Sequence, residues 1–390
     1  PERVAIVGAG PAGLTAAYEL ARDGYAVTIF EALPVAGGMM AVAIPEYRLP
    51  KRILNAEIES ILKLGVDLRL NTRVDDIEAL FEDGYKAIFV SCGAHKGDKM
   101  GIPSEDAEGV YDAIEFLRAI SLGKKPKVGR KVAVVGGGNS AIDAARASLR
   151  LGADEVRILY RRERKDMPAI WEEIEAAEAE GIRIDCLTAP TKVLSTDGKA
   201  SGLECIRMEL KEFDSSGRRT PYPVVGSEYT ISVDTVIEAI GQRPDASFIK
   251  DSKIKIGRGG TIVADPRTLA TTRSGVFAGG DAVTGPKTVI WAVAAGQRAA
   301  SSIKQYLQGK PLSPFIERDG YEPIEVPKIP PTEDEVKVRS RVYPSHIDPR
   351  EQKSSFKEIV FPFTPEEAKA EASRCLRCDL EAAEEGQSHG

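Results

Sequence analysis

Short runs of consecutive apolar residues, each ending at a glycine turn, recur along this chain. Val4-Ala5-Ile6-Val7 ends at Gly8, and Val132-Ala133-Val134-Val135 ends at Gly136. Ala87-Ile88-Phe89-Val90 runs into Ser91-Cys92-Gly93, Thr235 to Ile240 into Gly241-Gln242-Arg243-Pro244, and Val276-Phe277-Ala278 into Gly279-Gly280-Asp281. Unbroken apolar runs of this length predict strands buried on both faces, as in parallel sheets. Between them the period changes. Leu14 to Arg22 sets Ala16, Ala17, Leu20 and Ala21 on one stripe, which predicts a helix stopped by Gly24. A second helix is expected from the Gly136 turn to about Leu151, stopped by Gly152. Tyr25 to Phe30 and Val156 to Tyr160 predict the strands that follow the two helices.

Strand, glycine turn, helix and strand make a βαβ unit, and here the unit occurs twice. The expected fold class is α/β, with two Rossmann-like dinucleotide-binding domains. The runs at 87–90 and 235–240 bracket the second unit and read as crossings between domains. The second domain, 110–240, is therefore expected as an insertion in a first domain made of 1–109 and 241–308. Residues 309–390 remain as an extended C-terminal arm. Its first part is rich in proline (Pro311, Pro314, Pro323, Pro327, Pro330, Pro331) and reads either as a flexible tail or as a segment that wraps a partner.

Each glycine turn carries chemistry. In Gly8-Ala9-Gly10-Pro11-Ala12-Gly13, Gly8 permits the turn out of the strand. Gly10 lets the backbone approach a pyrophosphate, and Gly13 allows close packing of helix on strand. The helix N-terminus offers free N–H groups and a positive dipole end to the phosphates. Glu31 stands about 20 residues on, where an acid can accept hydrogen bonds from ribose hydroxyls. The second turn is Gly136-Gly137-Gly138-Asn139-Ser140-Ala141, with alanine in the third small position. Its second strand ends in Arg161-Arg162-Glu163-Arg164 rather than in an acid. Arg161 and Arg162 suit a 2′-phosphate, so residue chemistry favours NADPH over NADH. The same arginines could instead stack on adenine or pair with Glu172, Glu173 or Glu175, which keeps NAD open. The acidic stretch Glu172–Glu180 reads as a solvated helix face.

Composition narrows the picture. A net charge of −6 argues against nucleic acid as a partner. Nothing reads as a signal peptide or a membrane span, so a cytoplasmic location is expected. Of the five cysteines, Cys92, Cys186 and Cys205 stand apart from one another and read as small buried hydrophobes.

The motif Val276 to Asp281, followed by Ala294-Ala295-Gly296-Gln297-Arg298-Ala299-Ala300, resembles the second FAD motif of the two-dinucleotide-binding-domain flavoproteins. That resemblance implies FAD at the first turn and NAD(P) at the second. It implies that Gly280 and Asp281 bind the ribityl chain, that the helix near Thr288 points its N-terminus at the flavin pyrimidine edge, and that Val74 contacts the adenine. Within this group, Gly37-Gly38-Met39-Met40, Ile44 to Lys51 and Tyr160 to Pro168 resemble the glutamate synthase small subunit and its relatives, over roughly residues 2 to 308. The first two segments lie beside the flavin in that group, which makes Gly38, Met39 and Arg48 candidate cofactor contacts. The candidates at the second turn are Gly136, Gly138, Asn139, Ser140, Arg161 and Arg162.

Two departures matter. Gly37-Gly38 is followed by methionines, and residues 110–180 contain no cysteine, so a dithiol mechanism is disfavoured. No catalytic acid or base and no metal ligand is expected in the chain. The glutamate synthase small subunit also begins with an iron–sulfur domain, and a chain starting at Pro1 is expected to be without it. Phe356 to Val360 and Glu366 to Asp379 resemble the stretch leading into that family's first cluster cysteines, here Cys375 and Cys378. Those two could be a remnant of a lost cluster, could share a cluster with a partner chain, or could form a redox disulfide or bind another metal.

The function implied is an FAD-dependent subunit. It would exchange hydride with NAD(P)(H) and single electrons with an iron–sulfur partner, beside a larger catalytic subunit. A complete glutamate synthase small subunit and a non-catalytic flavin-binding scaffold are the rival readings.

Overall fold

The computed structural model describes residues 1–213, 217–250, 252–315 and 340–373. The strands of the first half are β1 (Arg3–Val7), β2 (Ala26–Phe30), β3 (Asp67–Arg69), β4 (Ala87–Val90), β5 (Lys96–Gly97), β6 (Val110–Asp112), β7 (Lys131–Val135), β8 (Glu155–Tyr160) and β9 (Arg183–Cys186). They are followed by β10 (Thr188–Thr196), β11 (Lys199–Phe213), β12 (Arg219–Pro223), β13 (Tyr229–Ile231), β14 (Thr235–Glu238), β15 (Gln242–Arg243) and β16 (Val276–Ala278). The helices are α1 (Pro11–Arg22), α2 (Met39–Val42), α3 (Lys51–Leu62), α4 (Glu78–Glu82), α5 (Ala113–Ser121), α6 (Asn139–Arg150), α7 (Trp171–Ala179), α8 (Asp281–Thr284), α9 (Val289–Leu307), α10 (Pro349–Gln352) and α11 (Pro365–Ala372).

Two parallel five-stranded sheets carry the fold. The first has the order β16-β4-β1-β2-β3, and the second β6-β14-β7-β8-β9. In each, the strand that precedes a glycine turn, β1 or β7, lies at the centre. Its apolar run is buried along its length, as the unbroken pattern predicts. Helices α1 and α9 pack together on the first sheet. Their close approach is set by Gly296, where a Cβ would lie 2.5 Å from the Ala12 carbonyl oxygen. The two connections between the sheets run as an antiparallel pair, β5 with β15. Between β9 and β14 the chain builds an antiparallel layer of β10, β11, β12 and β13 that the glycine turns do not announce.

The chain divides into two compact units. The first comprises Pro1–Phe315 and Pro349–Lys357. Part of the expected C-terminal arm thus packs on the body of its own chain. Arg150 Nε donates to the Ser355 carbonyl at 3.0 Å, and Phe356 packs against the core of the second sheet. In the second unit, residues 345–347 pair with 359–361 through an antiparallel bridge at His346 and Val360. Helix α11 opens on a capping box between Thr364 and Glu367. Pro323, Pro327, Pro330, Pro331, Cys375 and Cys378 lie outside the described residues. Among the described residues no helix is long and apolar enough to cross a membrane.

Candidate functional site

The carboxyl end of the first sheet opens into a cavity of about 380 Å³, within the range that holds cofactors. Of the residues expected at the first dinucleotide site, Gly8, Gly10, Pro11, Ala12, Glu31, Gly38, Met39, Val74, Gly280, Asp281 and Thr288 all line it. The turn has the shape of a phosphate cradle. A Cβ on Gly8 would lie 2.6 Å from the Ser91 carbonyl oxygen, so the turn is pressed against the end of β4. Gly10 is open, with only Gly38 Cα at 4.0 Å from its Cβ position. Gly13 does not line the cavity. A Cβ there would lie 2.0 Å from the Gly8 carbonyl oxygen, so Gly13 lets α1 sit tightly on the turn.

Glu31 directly follows β2 and is buried. Ala9 N–H donates to its Oε2 and Leu33 N–H to its Oε1, both at 2.8 Å. Burial raises its carboxyl above the ordinary range, and the backbone N–H groups of Ala9, Leu33 and Ala32 oppose that rise. Each oxygen keeps a lone pair for a further donor, as a ribose contact requires. Asp281 also lines the cavity, and burial pushes its carboxyl up to about 6, against one hydrogen bond from Lys287 N–H at 3.1 Å. The N-terminal turns of α1 and α9 both open on the cavity through Pro11, Ala12, Thr288, Val289 and Ala292. Their positive dipole ends favour negative charge there. A flavin adenine dinucleotide fits this set: an open glycine turn for the pyrophosphate, an acid for ribose and a second acid for the ribityl chain.

Several cavity residues escape sequence reasoning. His95, Glu115 and Arg118 reach the cavity from the connection and from α5, an element of the second sheet. Arg118 Nη2 lies 3.1 Å from His95 Nδ1. Burial, then the Arg118 charge, push the imidazole down to about 4, which keeps it neutral at pH 7. Arg73 and Lys96 each pair with Asp245 at 3.1 Å. Cys92 also faces the cavity, and burial pushes its thiol up to about 12. A thiol so protonated is a poor nucleophile. Cys92, Cys186 and Cys205 are free thiols, so no cysteine pair stands beside the cavity among the described residues. Only the turn Ser91-Cys92-Gly93 gave a sequence signal, and it reads as a domain crossing.

Arg48, expected beside the cofactor, lies elsewhere. Its Nη1 donates to both carboxylate oxygens of Asp143 at 2.9 and 3.0 Å, and its Nε pairs with Glu173 at 3.0 Å. The acidic stretch is likewise not a solvated face throughout. Glu172, Glu175 and Glu178 are exposed, but Glu180 is buried against Arg146 and Arg150, and Glu173 pairs with Arg48 and Arg146.

The second turn has the same construction. A Cβ on Gly136 would lie 2.2 Å from the Ala239 carbonyl oxygen, and one on Gly137 would enter the Tyr160 ring. Gly138, which caps α6, has nothing within 4 Å of its Cβ position. Asn139 Oδ1 accepts from Ile170 N–H at 3.0 Å, and Ser140 Oγ accepts from Gln242 Nε2 at 3.0 Å. The two arginines at the end of β8 diverge. Arg161 is exposed, whereas Arg162 is buried and donates through Nε to the Arg219 carbonyl at 2.9 Å.

Comparison with known proteins agrees with this geometry. The family model described as pyridine nucleotide-disulphide oxidoreductase matches residues 2–296. The chain is 47% identical to the NADP(+)-dependent formate dehydrogenase subunit beta of Moorella thermoacetica, over 100% of this chain and 57% of that protein. It is 35% identical to the glutamate synthase [NADPH] small chain of Escherichia coli, over 79% of this chain and 69% of that one. The fold is similar to that of Mycobacterium tuberculosis FprA in complex with NADPH, with a TM-score of 0.68 and 19% identity over 79% of this chain and 85% of that one.

Proposed function

Because the chain belongs to the pyridine nucleotide-disulphide oxidoreductase family, in the group that includes glutamate synthase small chains, we propose that it is the FAD-dependent, nicotinamide-facing subunit of a larger electron-transfer enzyme. The observation that carries this reading is the pair of open glycine turns at the carboxyl ends of two parallel sheets, the first of them lining a cofactor-sized cavity. FAD, when bound, would supply the redox chemistry, exchanging a hydride (two electrons and a proton) with NAD(P)(H) and single electrons with an iron–sulfur centre on a partner. The chain's residues bind and orient. Gly8, Gly10, Pro11 and Ala12 receive the FAD pyrophosphate, Glu31 the ribose, Val74 the adenine, and Gly280 and Asp281 the ribityl chain. Gly38, Met39 and Thr288 border the flavin ring. Gly136, Gly138, Asn139 and Ser140 receive the nicotinamide dinucleotide. The domains follow this division, with 1–109 and 241–308 holding FAD and 110–240 holding NAD(P).

The exposed side chain of Arg161 supports NADP as the preferred nucleotide, as do the names of the two relatives. Arg162 supports the same loop from beneath, through Arg219. The chain spans only 57% of its formate dehydrogenase relative, so the iron–sulfur partner and the larger catalytic subunit belong to the proposal. Among the described residues the cysteines stand apart and burial raises their thiols, which favours electron transfer to such a partner over reduction of a disulfide.

A binding measurement tests the nucleotide assignment. Arg161→Ala is expected to weaken NADPH binding by about tenfold or more, the worth of a charge-assisted hydrogen bond, and to leave NADH binding unchanged. Equal affinities of the wild type for the two nucleotides, unaltered by the substitution, would remove Arg161 from the site.

A further inference from the structure

The segment 38–51 does two things at once. At one end Gly38, Met39 and Met40 line the FAD cavity. At the other, Tyr47 and Arg48 are seated in helix α6, whose first turn is the nicotinamide cradle. Between these ends the segment is tied into a closed loop. Lys51 Nζ donates to the carbonyls of Met40, Ile44 and Leu49 at 2.8, 2.6 and 3.3 Å. The seat itself is ionic and largely buried. Arg48 Nη1 donates to both carboxylate oxygens of Asp143, one helical turn beyond Asn139, and its Nε pairs with Glu173 near the start of α7. The Tyr47 ring lies 4.8 Å from the guanidinium carbon of Arg146 and 4.1 Å from that of Arg150. Those two arginines are held in turn by Glu180 at 2.7 Å, with all three side chains fully buried. Phe356 closes the other flank of Tyr47, with ring centroids 6.3 Å apart.

We propose that Arg48 is a positioning residue: through Asp143 it fixes the flavin-side loop to helix α6 and so sets how the nicotinamide ring approaches the flavin. The inference rests on the functional reading above. A guanidinium gripped at two of its nitrogens, Nη1 by Asp143 and Nε by Glu173, is fixed in orientation as well as distance. That is what a two-electron transfer between two separately bound rings needs, since a displacement of about 1 Å can cost roughly a hundredfold in rate. Lysine at position 48 would keep the charge and lose the fork.

The test uses the full chain with Arg48→Ala and, as the milder change, Arg48→Lys. In the FAD-free chain, hydrogen exchange at the amides of residues 39–49 is expected to quicken in Arg48→Ala. In the FAD-loaded chain, FAD content and NADPH affinity stay as in the wild type. Flavin reduction slows by about ten- to a hundredfold, and 4-deuterated NADPH shows a larger isotope effect as the hydride step becomes limiting. Arg48→Lys falls between the two. Loss of FAD from Arg48→Lys would make Arg48 a cofactor contact and overturn the proposal. So would exchange and reduction rates equal to the wild type. If the wild type itself is not reduced by either nucleotide, the functional reading fails rather than this inference.

Discussion

Gly10→Ala is expected to yield a folded chain that purifies with less than roughly a tenth of the wild-type FAD, a penalty above about 1.4 kcal/mol. The Gly10 Cβ position meets nothing of the protein nearer than Gly38 Cα at 4.0 Å, so the methyl group enters the space left for the pyrophosphate and costs the fold little. Gly13→Ala differs in kind. Its Cβ would lie 2.0 Å from the Gly8 carbonyl oxygen and 2.8 Å from Ser91 Oγ. The first of these is backbone, so α1 must lift from the sheet, and both FAD and thermal stability are lost. Flavin absorbance per chain, set beside the unfolding midpoint, separates the two cases. Full FAD retention by Gly10→Ala would place the pyrophosphate elsewhere.

Glu180→Ala is expected to destabilise the protein by about 3–5 kcal/mol, because it leaves Arg150 buried without a carboxylate and Arg146 with Glu173 alone. All three side chains are fully buried, so solvent cannot replace the lost partner. Glu175→Ala, on the exposed face of the same helix, serves as the control and should change stability by less than about 0.5 kcal/mol. Burial alone would raise the Glu180 carboxyl, but hydrogen bonds from Arg150 and Arg146 outweigh it and hold the group below its ordinary range. A depressed folded-state value means that the contribution is present at neutral pH and disappears only as pH falls below about 4. Denaturant unfolding of both chains at pH 7 and in acid should therefore show a gap that closes on the acid side.

What was legible in the sequence is what is local. The β1 turn, Glu31 and the Val276–Asp281 motif each lie within one βαβ unit or one strand-to-helix turn, where residue type and spacing dictate geometry. The partner of Arg48, Asp143, is 95 residues away, and only the packing of α6 against the 45–50 loop brings them together. The same packing turns Glu173 and Glu180 inward from a stretch that reads as a solvated acidic face. Arg162 reads as equivalent to Arg161 in sequence, but it is buried by its contact with the Arg219 carbonyl, 57 residues away, which no local pattern announces. Arg118 and His95 reach the FAD cavity from the far side of the β5 and β15 connection. No spacing rule links a helix of the second sheet to the first site.

Anaerobic stopped-flow mixing of the FAD-loaded chain with NADPH, followed through flavin absorbance, tests the central claim most directly. The account predicts bleaching by NADPH, slower bleaching by NADH, and recovery of the oxidised spectrum when a one-electron acceptor is added. A chain that holds FAD but is bleached by neither nucleotide would contradict it and leave a flavin-binding scaffold in its place.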